Sequence, residues 1–182
     1  MNHSSTGYSG TARALHWIIA VLVLLMIPAG IVMVQQGLSR PLQNTLFVFH
    51  KNTGVIVFLL MVLRLTYRQI NRPPDLPDHL PGWQRRAANL SHRALYVLLF
   101  IMPISGYVRV KAGRFPIEGL DALGIGTFVP ASKALASVAQ TVHFVTAFAL
   151  VAVLLLHVGA ALQHAVLRRD GVFSRMWPPF GH

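Results

Sequence analysis

The chain of 182 residues contains no cysteine. That absence excludes disulfides, iron–sulfur clusters held by thiolates and the Cys-x-x-Cys-His attachment of a c-type haem. Acidic residues are also scarce, five against sixteen lysines and arginines, for a formal charge of +11. Charged residues of both signs make up only 12% of the chain while hydrophobic ones make up 54%, a balance that a soluble domain of this size does not show. An integral membrane protein is therefore expected.

Four apolar segments approach or exceed the roughly 20 residues that cross a bilayer: Ala14 to Val34, Thr45 to Leu65, Leu90 to Val110 and Leu135 to Leu167. They predict an all-α fold, a membrane four-helix bundle with helices over about 14–34, 45–67, 88–110 and 135–167. The first apolar run is longer than a signal-peptide core, and no small-x-small site follows Pro28-Ala29-Gly30, so it is expected to stay in the mature protein. The segment Asn71 to Gly82, with Pro73, Pro74, Pro77 and Pro81, reads as a stiff connector. Lys111 to Ser132 is the other long extramembrane stretch, and neither leaves room for a second folded domain.

Basic residues near the helix ends set the orientation. With both termini on one side, that side collects Arg13, Arg64, Arg68, Arg72, Arg85, Arg86, Arg93, Arg168, Arg169 and Arg175. The other holds Arg40, Lys51, Arg109, Lys111, Arg114 and Lys133. Ten against six predicts cytoplasmic termini. The positive charge then serves topology and contact with the lipid bilayer, and nucleic-acid binding is a poor reading of residues that flank membrane spans.

Polar side chains inside a membrane are costly and mark function. His143 and His157 lie fourteen residues apart within the last apolar segment. At about 1.5 Å and 100° per residue, this spacing advances roughly 21 Å and returns to within about 40° of the same helix face. One helix can thus carry two ligands, one near each membrane surface. His16 falls at the depth of His157, and His50 at the depth of His143. Two pairs at two depths, each drawn from different helices, are what a bundle needs to clamp two haems axially by coordination alone.

The fourteen-residue interval recurs as Gly30 after His16, Arg64 after His50 and Gly106 after His92. Gly30 would let a flat macrocycle approach the backbone at the outer level. Arg64 would face the inner level and pair with a propionate, or else snorkel to water. Gly30, Gly54, Gly106 and Gly159 equally suit helix packing, and Pro28 and Pro103 are expected to bend their helices. His92, on the third helix at the inner depth, competes with His16 as the partner of His157, and spacing does not choose between them. His164, two turns beyond His157, suits proton delivery to a reduced substrate, or simply the interface beside Arg168 and Arg169. His3, His79 and His182 are expected in solvent.

These residues together resemble the bacterial cytochrome b561 proteins, in particular the short, single-domain members that act as superoxide oxidases. The resemblance spans nearly the whole chain. It rests on Tyr8-Ser9 before His16-Trp17, His50 before Arg64-Leu65, Arg72-Pro73-Pro74, His92 with Tyr96, Pro103 with Gly106, and the series His143, His157, His164. The ending Asp170-Gly171 and Met176-Trp177-Pro178 belongs to the same pattern.

The resemblance implies one domain over 1–182 in the bacterial inner membrane, with two haems b. It implies His16 and His157 as ligands of the inner haem and His50 and His143 as ligands of the outer one, which leaves His92 free for another role. It further implies superoxide as donor and ubiquinone as acceptor, with His164 or His92 relaying protons. Arg109, Lys111 and Arg114 belong to an outer basic surface, which exceeds Glu118 and Asp121 by about four charges and steers a small anion. Two alternatives stay open. A di-haem anchor would dock a dehydrogenase, hydrogenase or reductase through the basic surface, and a haem-free proton or metal-ion transporter would be colourless. A homodimer is compatible with so small a bundle.

Overall fold

A computed structural model describes residues 7–179, and within them every regular element is helical. Four helices are long and apolar enough to span a membrane: α1 (Gly10–Val32), α2 (Arg40–Ile70), α3 (Gly82–Ala112) and α5 (Lys133–Leu162), the last continuing as a π-helical turn to Arg168. A five-residue helix, α4 (Glu118–Ala122), lies in the loop before α5. His3 and His182 fall outside the described residues, and His79 is exposed.

The helices begin earlier than their apolar runs, because each start is set by a stop or cap signal rather than by hydropathy. The Ser9 hydroxyl accepts from the Ala12 N–H at 3.3 Å, and the Ser132 hydroxyl from the Leu135 N–H at 3.2 Å. Pro41 occupies the first turn of α2, where its missing N–H costs nothing, and Pro81 precedes α3. Both α1 and α3 run unbroken through Pro28 and Pro103. At its far end α5 closes on Arg169 in the left-handed conformation (φ 50°), whose N–H bonds the His164 carbonyl at 2.8 Å.

Close packing joins α1 to α2, α2 to α3 and α3 to α5. The small core is Ile19, Val23, Val57 and Met61, bordered by Met26, Leu60, Tyr96, Phe100 and Leu154. Outward, large apolar side chains stand open: Leu59 is 60% exposed, Phe148 66% and Leu155 68%. Lipid covers such a surface, so burial of apolar area gives little drive toward assembly there, and side-chain fit between helices holds the bundle instead.

The bundle has two ends. Residues 7–9, residues 169–179 and the proline-rich connector lie at one end, here called the terminal end, where the described tail is fastened under the helices. The Trp17 indole N–H donates to the Met176 carbonyl at 2.8 Å, the Tyr8 N–H to the Arg175 carbonyl at 3.1 Å, and the Arg175 guanidinium to the Asp75 carbonyl at 2.6 Å. Ser9 and Tyr67 hydroxyls meet at 2.9 Å. At the distal end, α4 is pinned onto α2: Lys51 Nζ reaches Glu118 Oε1 at 2.7 Å, Asn52 Nδ2 reaches Glu118 Oε2 at 2.9 Å, and the Gly119 N–H reaches Asn52 Oδ1 at 2.7 Å.

Candidate functional site

At the distal level, α2 brings His50 and α5 brings His143 to a ring-centre distance of 6.2 Å, with the planes at 76°. At the terminal level, His16 of α1 and His157 of α5 stand 6.2 Å apart with their planes at 75°. An imidazole centre lies about 1.1 Å from its ligating nitrogen and a metal–imidazole bond is about 2.0 Å, so two rings on opposite sides of one metal would have centres roughly 6.2 Å apart. Both pairs meet that separation. In each, the two helices concerned are not among the closely packed pairs, so the rings bridge backbones held apart. A flat group between the rings requires that separation.

The backs of the distal rings are prepared in a way that suits ligation. His143 Nδ1 donates to the Met102 carbonyl at 3.0 Å and lies 3.2 Å from the Ser105 hydroxyl, which leaves Nε2 with its lone pair. His50 Nδ1 is buried and faces the Met26 carbonyl without closing a hydrogen bond. Two glycines make room for these rings. A Cβ on Gly30 would come within 3.0 Å of His50 Cε1, and one on Gly106 within 3.2 Å of His143 Cε1. Gly54 and Gly159 have no such role, since a Cβ on Gly54 meets only Met26 at 3.7 Å and one on Gly159 meets nothing within 4 Å.

The terminal level is more crowded. His92 of α3 lies 5.4 Å from His157, closer than two rings on opposite sides of one metal stand, so its position fits a neighbour of the His16–His157 pair better than a substitute for His16. Arg64 is half-buried and donates to the Ala12 carbonyl at 2.8 Å, within electrostatic reach of His16, His92 and His157. Arg68 lies over the Tyr96 ring at 5.4 Å. Four of the chain's five carboxylates pair elsewhere, with Lys51, Lys111, Arg85 and His164, so this cationic level has room for an acidic ligand group. Among the described residues no three histidine or acidic side chains gather as a bare metal ion would require.

His164 stands on the π-helical turn, and its Nδ1 donates to Asp170 Oδ2 at 2.6 Å, both side chains being largely buried. Desolvation raises the Asp170 pKa, but the bonds from His164 and the Val172 N–H outweigh it and hold the carboxyl below its ordinary value. Sequence spacing did not expose this pair, because a six-residue separation is not a helical contact distance. The αL turn at Arg169 folds Asp170 back onto the ring.

The distal basic surface is less open than its sequence implies. Lys51 is bound to Glu118, and Lys111, its side chain only 9% exposed, is bound to Asp121. Desolvation raises the Glu118 pKa, but the Lys51 and Asn52 bonds outweigh it and leave the carboxyl low; the Lys111 bond does the same for Asp121. Arg114 remains exposed, in a left-handed conformation (φ 63°), and Arg109 is half-buried. An open groove of about 450 Å³ runs past Lys111, Arg114, Phe115, Asp121 and Ile125.

Comparison with known proteins identifies the family. Residues 7–179 match the model of a family described as prokaryotic cytochrome b561. Cytochrome b561 homolog 2 of Escherichia coli (strain K12) is 31% identical over 170 residues, covering 93% of this chain and 90% of that protein. Cytochrome b561 homolog 1 of the same organism is 26% identical over 174 residues, covering 94% and 97%.

Proposed function

The chain belongs to the prokaryotic cytochrome b561 family of membrane electron-transfer proteins, and from that premise we propose that it carries electrons from superoxide at the distal end to ubiquinone in the bilayer. The observation that supports this most is the recurrence of one 6.2 Å histidine pair at two levels of the same helix. The family normally binds haem b, and the donor set fits it: His16 with His157 would hold one haem and His50 with His143 the other. Bound haem b supplies reversible one-electron storage.

With two histidines to hold it, each haem would have no ligand site left for substrate, so the chemistry it supplies would be outer-sphere electron transfer. Gly30 and Gly106 keep the distal rings unstrained, and Ile19, Val23, Val57 and Met61 keep water out between the levels. Arg64, which donates to the Ala12 carbonyl, would also be placed to pair with a haem propionate at the terminal level. With the termini in the cytoplasm of a bacterial inner membrane, the distal end faces the periplasm. There Arg109 and Arg114, with Lys111 behind them, attract a small anion. At the terminal end, His164 held by Asp170 carries a proton toward reduced quinone, with His92 as a second proton carrier on the same level.

A second reading, the anchor that passes electrons to a partner protein, draws on Phe115, Leu123 and Phe128, large apolar side chains exposed on the distal loop. The purified protein separates the two. Haem b per chain is quantified and the visible spectrum followed while a superoxide source, then a soluble ubiquinone, is added. Two haems that superoxide reduces and quinone reoxidises support the oxidoreductase. Two haems that superoxide leaves oxidised favour the anchor, and a colourless protein overturns both.

A further inference from the structure

The two helical hairpins, α1–α2 and α3–α5, share a register in which the residues around the histidine rings recur. Adding 76 to a number in α1 gives its counterpart in α3: His16 and His92, Met26 and Met102, Gly30 and Gly106 are identical pairs, with Val21, Leu22, Val32 and Val34 also recurring. Adding 93 carries α2 onto α5, where His50 meets His143 and Thr53 meets Thr146.

The contacts repeat with the residues. Thr53 and Thr146 are both buried, as are Val57 and its counterpart Leu150. Gly30 backs His50 as Gly106 backs His143, and the Met26 carbonyl faces His50 as the Met102 carbonyl faces His143. Since α1 and α3 cross the membrane in the same sense, the two copies are related by an axis along the membrane normal, the parallel form of internal repeat. The distal ring of positions 30, 50, 106 and 143 obeys that relation fully. The terminal ring of positions 16, 64, 92 and 157 breaks it once: histidine stands at 16, 92 and 157, and arginine at 64.

We infer that Arg64 occupies a latent axial-ligand position, the copy of His157 in the other hairpin, and that with His92 it marks a second terminal ligand pair which the arginine disables. This rests on the ligand assignment proposed above. Arg64 then decides which histidines hold the terminal haem, because a fourth histidine in that ring would let either hairpin supply the ligand.

The test counts haem b per chain and records low-temperature electron paramagnetic resonance. H157A is expected to hold one haem instead of two, the distal one, whose retention shows that the variant is folded. H157A/R64H is expected to return to two, the regained haem showing a low-spin bis-histidine signal. H157A/L63H, with the new ring on another face of α2, stays at one. A double variant R64H that stays at one haem overturns the inference while leaving the ligand reading intact, whereas an H157A protein that keeps both haems overturns the two together. Arg64→His in the otherwise intact chain tests the same point where H157A does not accumulate. A second low-spin signal from competing ligand pairs is expected there, and an unchanged spectrum refutes it.

Discussion

The distal and terminal levels share one ligand spacing and differ in nearly everything around it. The distal rings sit against glycines, main-chain carbonyls and the Ser105 hydroxyl, and half-buried Arg109 is a charged side chain within electrostatic reach of both. The terminal rings sit among Arg64 and His92, and the His164–Asp170 pair begins seven residues beyond His157 in the same helix's continuation. Backbone and glycine fix the first level, while ionisable side chains tune the second. A level built of glycine and carbonyl is sensitive to size, and one built of charge is sensitive to pH.

The comparison is broken most completely at the ligands. His143→Ala is expected to leave one haem per chain with the terminal spectrum, and His157→Ala one haem with the distal spectrum; equal haem content in both variants and the parent would sink the assignment. Size comes next. Gly106→Leu places a side chain against a ring that a single Cβ already approaches to 3.2 Å, at a cost of about 1 to 3 kcal/mol, and should deplete the distal haem alone. Gly159→Leu, facing open space, should leave both.

Charge at the distal end affects rate rather than occupancy. Neutralising Arg109 and Arg114 together should slow reduction by superoxide by roughly one to three orders of magnitude at low salt and flatten its salt dependence. Lys111→Gln alone should do less, since that ammonium is already bound to Asp121. At the terminal end, Asp170→Asn should slow quinone reduction about tenfold and move its pH profile, without loss of haem, because the positioned proton carrier is misaligned. An unchanged profile would remove the pair from the mechanism.

The smallest effect is the tether of α4. Glu118 has a lowered folded pKa, so its contribution to stability is fully present above the ordinary carboxylate value near 4.3 and is lost as pH falls through the depressed one. For so exposed a pair the loss is about 1 kcal/mol or less. The melting temperature should therefore hold from pH 7 to about 5 and decline only below 4, and E118Q should make that decline shallower, leaving the part that Asp121 and Asp170 contribute.

The four spans and the depth-matched histidines were legible in the sequence because a membrane enforces both signals: apolar runs of fixed length, and intolerance of idle polar groups. That His16 stands 6.2 Å from His157 and His92 only 5.4 Å was not legible from spacing, since both lie at the same depth and the separations depend on how far apart the helix backbones stand. Lys51 and Lys111 read as open cations for a similar reason. Their carboxylate partners lie 67 and 10 residues away, across a loop whose fold no periodicity announces. The helix starts at Gly10, Arg40 and Gly82 precede their apolar runs because serine caps and prolines, rather than hydropathy, begin them.

Both histidine pairs draw one member from α5, the last helix to be translated, and the Met176 carbonyl that anchors Trp17 beside His16 follows it. During synthesis the first three helices can enter the membrane with His16, His50 and His92 in place, yet neither pair is complete until the final hairpin closes. On the proposed ligand assignment, cofactor loading would wait for the end of biosynthesis, and a ribosome stalled before α5 would leave a product with neither histidine pair.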